Sequence, residues 1–257
     1  MFGFPPTIHQ QFKKNFLKTV IFQISYDENS ECIIHKDNII QLFSAKFPRI
    51  NKKVTKEFQF SIRPNEQTPL LQASSDKEGI EMKSDDGQKT IFINKTSFSL
   101  TVSGRGYKSF NELKNEIESI NEFFQFCNIK VLKKIAIRKI NVFDFELTDN
   151  PSEILAHIIS PDLLSNINYF PKPEEIKQNI QNVIYAKNDY RLILKYGLNI
   201  PPPPNTKLGQ VIIDIDLINT SNTPIGMIFE IAVLINQEIF NIFNWSISEN
   251  TKKLLNV

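Results

Sequence analysis

The chain has 257 residues, a length that admits one large domain or two small ones. Apolar residues make up 41 % and charged residues 23 %, an ordinary globular mixture that needs no metal or disulfide staple to hold a core. Thirty basic residues against 28 acidic ones leave a net charge of +2, without the strongly basic footprint of a nucleic-acid binder or a charge argument for an anionic membrane.

The opening MFGFPPTIHQQFKKNF has no apolar core and no cleavage site of the kind a secretory leader carries. In FLKTVIFQISYD, residues 16–27, Val20, Phe22 and Ile24 alternate with Thr19, Ile21, Gln23 and Ser25, a period of two rich in β-branched and aromatic residues that predicts a strand. Ile39, Ile40, Phe43 and Phe47 recur at three or four, predicting a helix over 36–46 that Pro48 stops. Strands follow around Phe58, Phe60 and Ile62, and around Ile80 and Met82. Asp86-Gly87 and Asn94 to Thr96 supply tight turns into QKTIFINKT and SFSLTVSG, a run of hairpins and hence an antiparallel sheet.

Ser109 and Glu112 form an S-x-x-E box at the head of a predicted helix over 109–127. Its apolar stripe is Phe110, Leu113, Ile117, Ile120, Phe124 and Cys127. A long strand, VLKKIAIRKINVFDFEL, is expected at 131–147. Asn150-Pro151-Ser152-Glu153 then opens a helix, and Ser160-Pro161-Asp162 a short turn. Residues 165–175 read as irregular, and a soft domain boundary falls near 148–150. Residues 178–187 and 190–198 form a hairpin about Asn188-Asp189, Pro201 to Pro204 a stiff polyproline segment, and 209–218 a strand. Thr223-Pro224 precedes a long apolar helix ending near Phe243, with Trp245 and a short terminal helix behind it. Glu230, Asn236, Gln237 and Glu238 interrupt that apolar run, so it reads as a buried helix and not as a bilayer span.

The fold class is therefore α+β: antiparallel sheets, each covered by a long amphipathic helix. Residues 1–148 and 149–257 form two domains or one compact unit. The halves rhyme, each running from strands through a Ser/Thr-rich turn into a Phe/Ile-rich helix. Duplication would leave that pattern, and so would any helix-covered sheet.

Chemistry-bearing motifs are sparse. The chain holds only eight glycines, and Gly104-Arg105-Gly106, their one close pair, sits at a strand end as a turn and not as a phosphate cradle. His9, His35 and His157 lie in separate elements, so no zinc set and no cofactor is expected. Cys32 and Cys127 lie outside any CxxC and read as reduced thiols of a cytosolic protein. Cys32 and His35 as a nucleophile pair compete with plain solvated side chains, with no orienting acid nearby.

Two features stand out. Asp214 and Asp216, two apart on a strand, share a face and could hold Mg²⁺, or could simply line the exposed side of a one-sided sheet. In IAIRKINVF, Ile135, Ile137 and Lys139 share one face while Ala136, Arg138 and Ile140 share the other. Arg138, with Asn141 nearby, then needs either a structural acid or an anionic ligand.

Scattered positions carry a resemblance. They are Pro5-Pro6 before FLKTVIFQI, the Phe43 to Phe47-Pro48 helix end, Tyr107 with Phe110, IAIRKIN, and the closing QEIFNIFNWSIS. Over most of its length the chain is similar to a sporadically distributed bacterial and archaeal family of uncharacterised proteins. Lys139 stands where that family suggests an aromatic beside Arg138. The resemblance brings no activity with it. The family's patchy occurrence implies carriage on mobile elements or in defence islands.

The sequence thus reads as a non-catalytic binding or accessory protein, within a phage-defence or toxin–antitoxin-like module. Its partner is a protein or a second copy, and neither nucleic acid nor membrane is indicated. Twenty-one phenylalanines and Trp245 supply apolar surface for such an interface. Two alternatives stay open: a metal-dependent phosphoryl-transfer or nuclease-type enzyme using Asp214 and Asp216, and a chaperone-like sheet that binds unfolded clients.

Overall fold

Alternating apolar residues bring every long strand into one sheet in a computed structural model, which describes residues 1–8, 12, 14–61, 70–146, 150–164, 172, 175–200 and 208–256. The expectation of separate sheets is corrected: a single nine-stranded antiparallel sheet spans the chain. Its members are β1 (Leu17–Ser25), β2 (Arg49–Ser61), β3 (Leu70–Lys83), β4 (Lys89–Asn94), β5 (Ser97–Ser103), β7 (Lys134–Glu146), β8 (Gln178–Lys187), β9 (Tyr190–Asn199) and β10 (Leu208–Asn219). Their spatial order is β2-β3-β4-β5-β1-β7-β10-β9-β8. The short β6 (Val131–Leu132) and β11 (Thr223–Pro224) pair separately.

The join lies where β1 meets β7, and β7 also pairs with β10, so the ladder runs on across the boundary expected near 148–150. Residues 147–149, 165–171 and 201–207 lie outside the described residues, and with them the central part of the expected boundary, most of the irregular stretch and the polyproline segment.

Side-chain alternation fixes which face is inside. Val20, Phe22 and Ile24 of β1, Phe98, Leu100 and Val102 of β5, Ile135 and Ile137 of β7, and Val211, Ile213, Ile215 and Leu217 of β10 all belong to one buried cluster. The strand register sets these residues side by side on one face, as a period of two requires. The helices supply the other half of that cluster. They are α1 (Glu31–Ile34), α2 (Lys36–Ser44), α3 (Phe110–Glu116), α4 (Ile120–Phe126), α5 (Pro151–Ile158), α6 (Ile228–Ser246) and α7 (Glu249–Leu255).

The expected helix over 109–127 is not continuous. Ser109 caps it as anticipated, accepting from the Glu112 N–H at 3.1 Å. The chain tightens at Ile117, whose N–H returns to the Lys114 carbonyl at 3.1 Å, and restarts as α4. Lys46 donates to the Asn115 carbonyl at 2.5 Å, adding to the long 3.4 Å bond that this carbonyl accepts from the Glu118 N–H at the break. Ile117 and Ile120 both stay buried across it, so the apolar stripe survives although the helix does not.

The C-terminal helix is long, as the sequence indicates. With its opening 3-10 turn it runs Ile225–Ser246, 22 residues, long and apolar enough by composition to cross a membrane. In this fold it lies on β7 and β10, burying Ile228, Ala232, Ile235, Ile239 and Ile242 at steps of three and four. The N-terminal segment runs along its polar side. Glu238 accepts from the Phe2 N–H at 2.7 Å and from Asn241 Nδ2 at 3.1 Å, and Asn241 Oδ1 accepts from the Thr7 N–H at 3.0 Å. These bonds satisfy Glu238, one of the polar groups that interrupt the apolar run, and Asn241 one turn on.

Gly104 is fixed by a close approach of two segments of the chain. A β-carbon there would lie 1.6 Å from the Leu17 carbonyl oxygen, while the Gly104 N–H donates to the Lys18 carbonyl at 2.7 Å. The Gly104-Arg105-Gly106 segment is thus the turn expected of it, placed where β5 leaves the β1 edge.

Candidate functional site on the uncovered sheet face

Because helices pack on one side only among the described residues, the opposite side of the sheet stays open. It carries Ser97, Ser99, Thr101, Thr19, Ile21 and Gln23 toward the N-terminal half, and Arg138, Ile140, Ile212, Asp214, Asp216, Ile193 and Lys195 toward the C-terminal half. The aspartate pair and Arg138 both fall here.

The register places Arg138 opposite Asp216 and Ile140 opposite Asp214. Arg138 nonetheless reaches along the strands to Asp214. Its Nε donates to Oδ1 at 2.8 Å and its Nη2 to Oδ2 at 2.6 Å, a two-pronged fork. The Asp214 side chain is 8 % exposed and that of Arg138 37 %, so the arginine covers the acid. The bond to Asp214 raises the Arg138 guanidinium further above its ordinary range, and burial opposes it. The sequence left open a structural acid or an anionic ligand for Arg138; its acid within the chain is Asp214.

Asp216 is different. It is half-buried, and no hydrogen bond or ion pair among the described residues holds it. Burial pushes its carboxyl up, while the nearby Lys134, Arg138 and Lys195 pull it down. Lys134 itself donates to Gln23 Oε1 at 3.0 Å. Among the described residues, no three His, Cys, Asp or Glu side chains gather within reach of one metal ion. A groove of about 660 Å³ opens beside Phe16, Lys18, Arg105 and Asp144, but neither Arg138 nor either aspartate lines it.

Asn141 does not join Arg138. It lies on the helix-covered face, buried, with Nδ2 donating to the Ile213 carbonyl at 3.3 Å. Cys32 and His35 are not brought together either. Cys32 points inward to the Tyr26 hydroxyl at 3.7 Å and to Cys127, whereas His35 meets Glu31 at 3.3 Å on the surface. Trp245 packs against Phe4, ring centroids 5.0 Å apart, in the cluster under the helices and away from the open face.

Sequence reasoning missed one residue of chemical interest. Lys139 lies on the core face, donating to Asn236 Oδ1 at 2.7 Å with its ammonium 5.4 Å from the centre of the Tyr107 ring. None of the carboxylates among the described residues pairs with it. Burial lowers its pKa to about 8 and raises that of the Tyr107 hydroxyl to about 12. The signal was present in the alternation itself, which put Lys139 in line with Ile135 and Ile137.

A lysine whose pKa falls on folding binds fewer protons in the native state. Stability should therefore rise as pH climbs from about 8 toward 10.5, and the cost of the buried cation should be present in full below pH 8. Lys139→Met should stabilise the protein by about 2 kcal/mol at pH 7, a value kept below the full shift because the side chain is only half-buried. The gain should shrink toward zero by pH 10.5. Urea unfolding of both proteins across pH 6–10.5 checks this, and a constant difference over that window would contradict it.

No protein-family model matches the chain, and no curated protein matches it.

Proposed function

We propose that this chain is a non-catalytic binding protein that holds a protein partner on the uncovered face of its sheet. One observation carries the reading: among the described residues, a broad face with no helix over it presents isoleucines interleaved with charges, including Asp216, which no described group holds by a hydrogen bond or ion pair. Such a mixture, apolar between charged positions, suits a wet interface that a partner completes. The resemblance noted above suggests a phage-defence or toxin–antitoxin-like setting, so the products of adjacent genes are the partners to try first.

The test is a titration of those products against the wild-type chain and an Ile21→Lys/Ile193→Lys variant, with thermal unfolding run alongside. The variant should bind at least tenfold more weakly and melt unchanged. Equal binding by both chains, or no binding by the wild type, would remove the reading.

The breadth of the same face also favours a chaperone-like use of it. A fluorescent, reduced and unfolded client is the probe for this, since Trp245 sits on the helix side. Capture of the unfolded client in preference to any folded partner would select it. The metal-dependent reading has less support, because both Asp214 oxygens already accept from Arg138.

We also propose that the two halves are similar units. The support is element order: β1 is followed by helices and a meander whose last strand, β5, returns to pair with it, and β7 is followed by α5 and a meander whose last strand, β10, does the same. Residues 1–130 and 131–257 expressed as separate chains should assemble one to one; failure to assemble would count against two units.

A further inference from the structure

We propose that β8 is the seam of a homodimer, in which two copies join edge to edge and antiparallel about a two-fold axis through Ile184. β8 is the last strand of the sheet, and among the described residues its only ladder partner is β9. Among the described residues, the outer edge of β8 therefore has no ladder partner over residues 181–187.

Sheet edges are ordinarily blunted by charge, proline or a bulge. β8 has none of these in its span except Lys187 at its end, and its register against β9 is unbroken. The other edge strand, β2, carries Lys52, Lys53 and Lys56 in its sequence. The midpoint of β8 is also apolar and open, with Val183 45 %, Ile184 53 % and Tyr185 44 % exposed. The buried Phe2 ring, 5.0 Å from that of Tyr185, backs this strip on the helix side.

The occupant follows from the strand's own pattern. A two-fold axis normal to the sheet keeps the helices of both copies on the same side, so each residue must meet one of its own parity. Centring the ladder on Ile184 satisfies this and places Ile184 against Ile184 on the open face. It sets Val183 against Tyr185 twice on the helix face. Lys187 falls opposite Gln181, so no like charges meet. The strand is thus a near-neutral complement to itself on both faces. A ladder about 24 Å long buries modest area, so the dimer should be reversible and roughly micromolar.

The inference does not rest on the open-face reading, because self-association is measured with no partner present. Sedimentation velocity of the full chain across a concentration series should show a monomer–dimer equilibrium. Ile184→Lys and Ile184→Glu, each alone, should weaken dimerisation at least tenfold, since each sets like charges face to face. Mixed in equal amounts they should regain it, because lysine then meets glutamate across the axis. Far-UV circular dichroism of each variant reports the fold, which an exposed edge position should leave intact. A wild-type monomer at all concentrations, unweakened variants, or a mixture that stays monomeric would each overturn the proposal.

Discussion

Replacing Phe98 with alanine should cost about 4 kcal/mol of folding stability, the range for deleting a large aromatic from a packed core. Phe98 is fully buried in β5, opposite Ile24 of β1 and Ile93 of β4. Its ring lies 5.7 Å from that of Phe43 in α2 and 5.8 Å from that of Phe123 in α4, centroid to centroid. It therefore joins three strands to two helices from one position, and no single neighbour can collapse into the space it would leave. Phe98→Leu keeps most of the volume and should cost about half as much. Urea unfolding with an unchanged denaturant slope is the measurement. A loss below about 1 kcal/mol for the alanine variant would mean that the aromatic cluster is not packed as described.

That cluster also shows how far alternation carries a sequence reading. Phe98, Leu100 and Val102 were legible as one face, and so were Val20, Phe22 and Ile24, because a half-buried strand writes its inside and outside into a period of two. The hairpin of β8 and β9 about Asn188 was equally legible, and Asn188 adopts the left-handed φ of 52° that its turn needs. Periodicity did not reveal that the hairpins of both halves close into one sheet. That depends on β1 meeting β7 across more than a hundred residues, and no local pattern encodes a long-range partner. Nor did it reveal the break after α3, because Ile117 and Ile120 keep their inward phase through the tightened turn.

The site was legible by halves. Parity placed Asp214 and Asp216 together on one face of a strand and Arg138 on one face of another, but their meeting required knowing that β7 and β10 are neighbours. The same parity separates Arg138 from Asn141, which the sequence reading sets together, since positions three apart on a strand point to opposite faces. It also put Lys139 under the helices. The one-sided construction then sets what each charge must do: those beneath helices need partners from α6 or the aromatic rings, and those on the open face are left to water, to each other or to a bound chain.

Arg138 is where that division can be measured, because stability and binding give separate readouts there. Arg138→Ala should cost about 3 kcal/mol, since it strands a carboxylate that is only 8 % exposed. The figure sits at the low end for buried pairs because Arg138 itself is 37 % exposed and water reaches the site. Asp214→Asn should cost less, about 1 kcal/mol, because the arginine left behind can hydrate. An Arg138→Met/Asp214→Leu double variant should recover most of the loss, as apolar groups of similar volume need no counter-charge. If Arg138 serves only Asp214, partner capture on the open face should follow the unfolding curve in all three variants. If it also contacts the partner, the double variant should be stable and yet bind at least tenfold more weakly. A single alanine substitution that leaves stability within about 0.5 kcal/mol of wild type would show that the fork between Arg138 and Asp214 is not what holds this acid in the sheet.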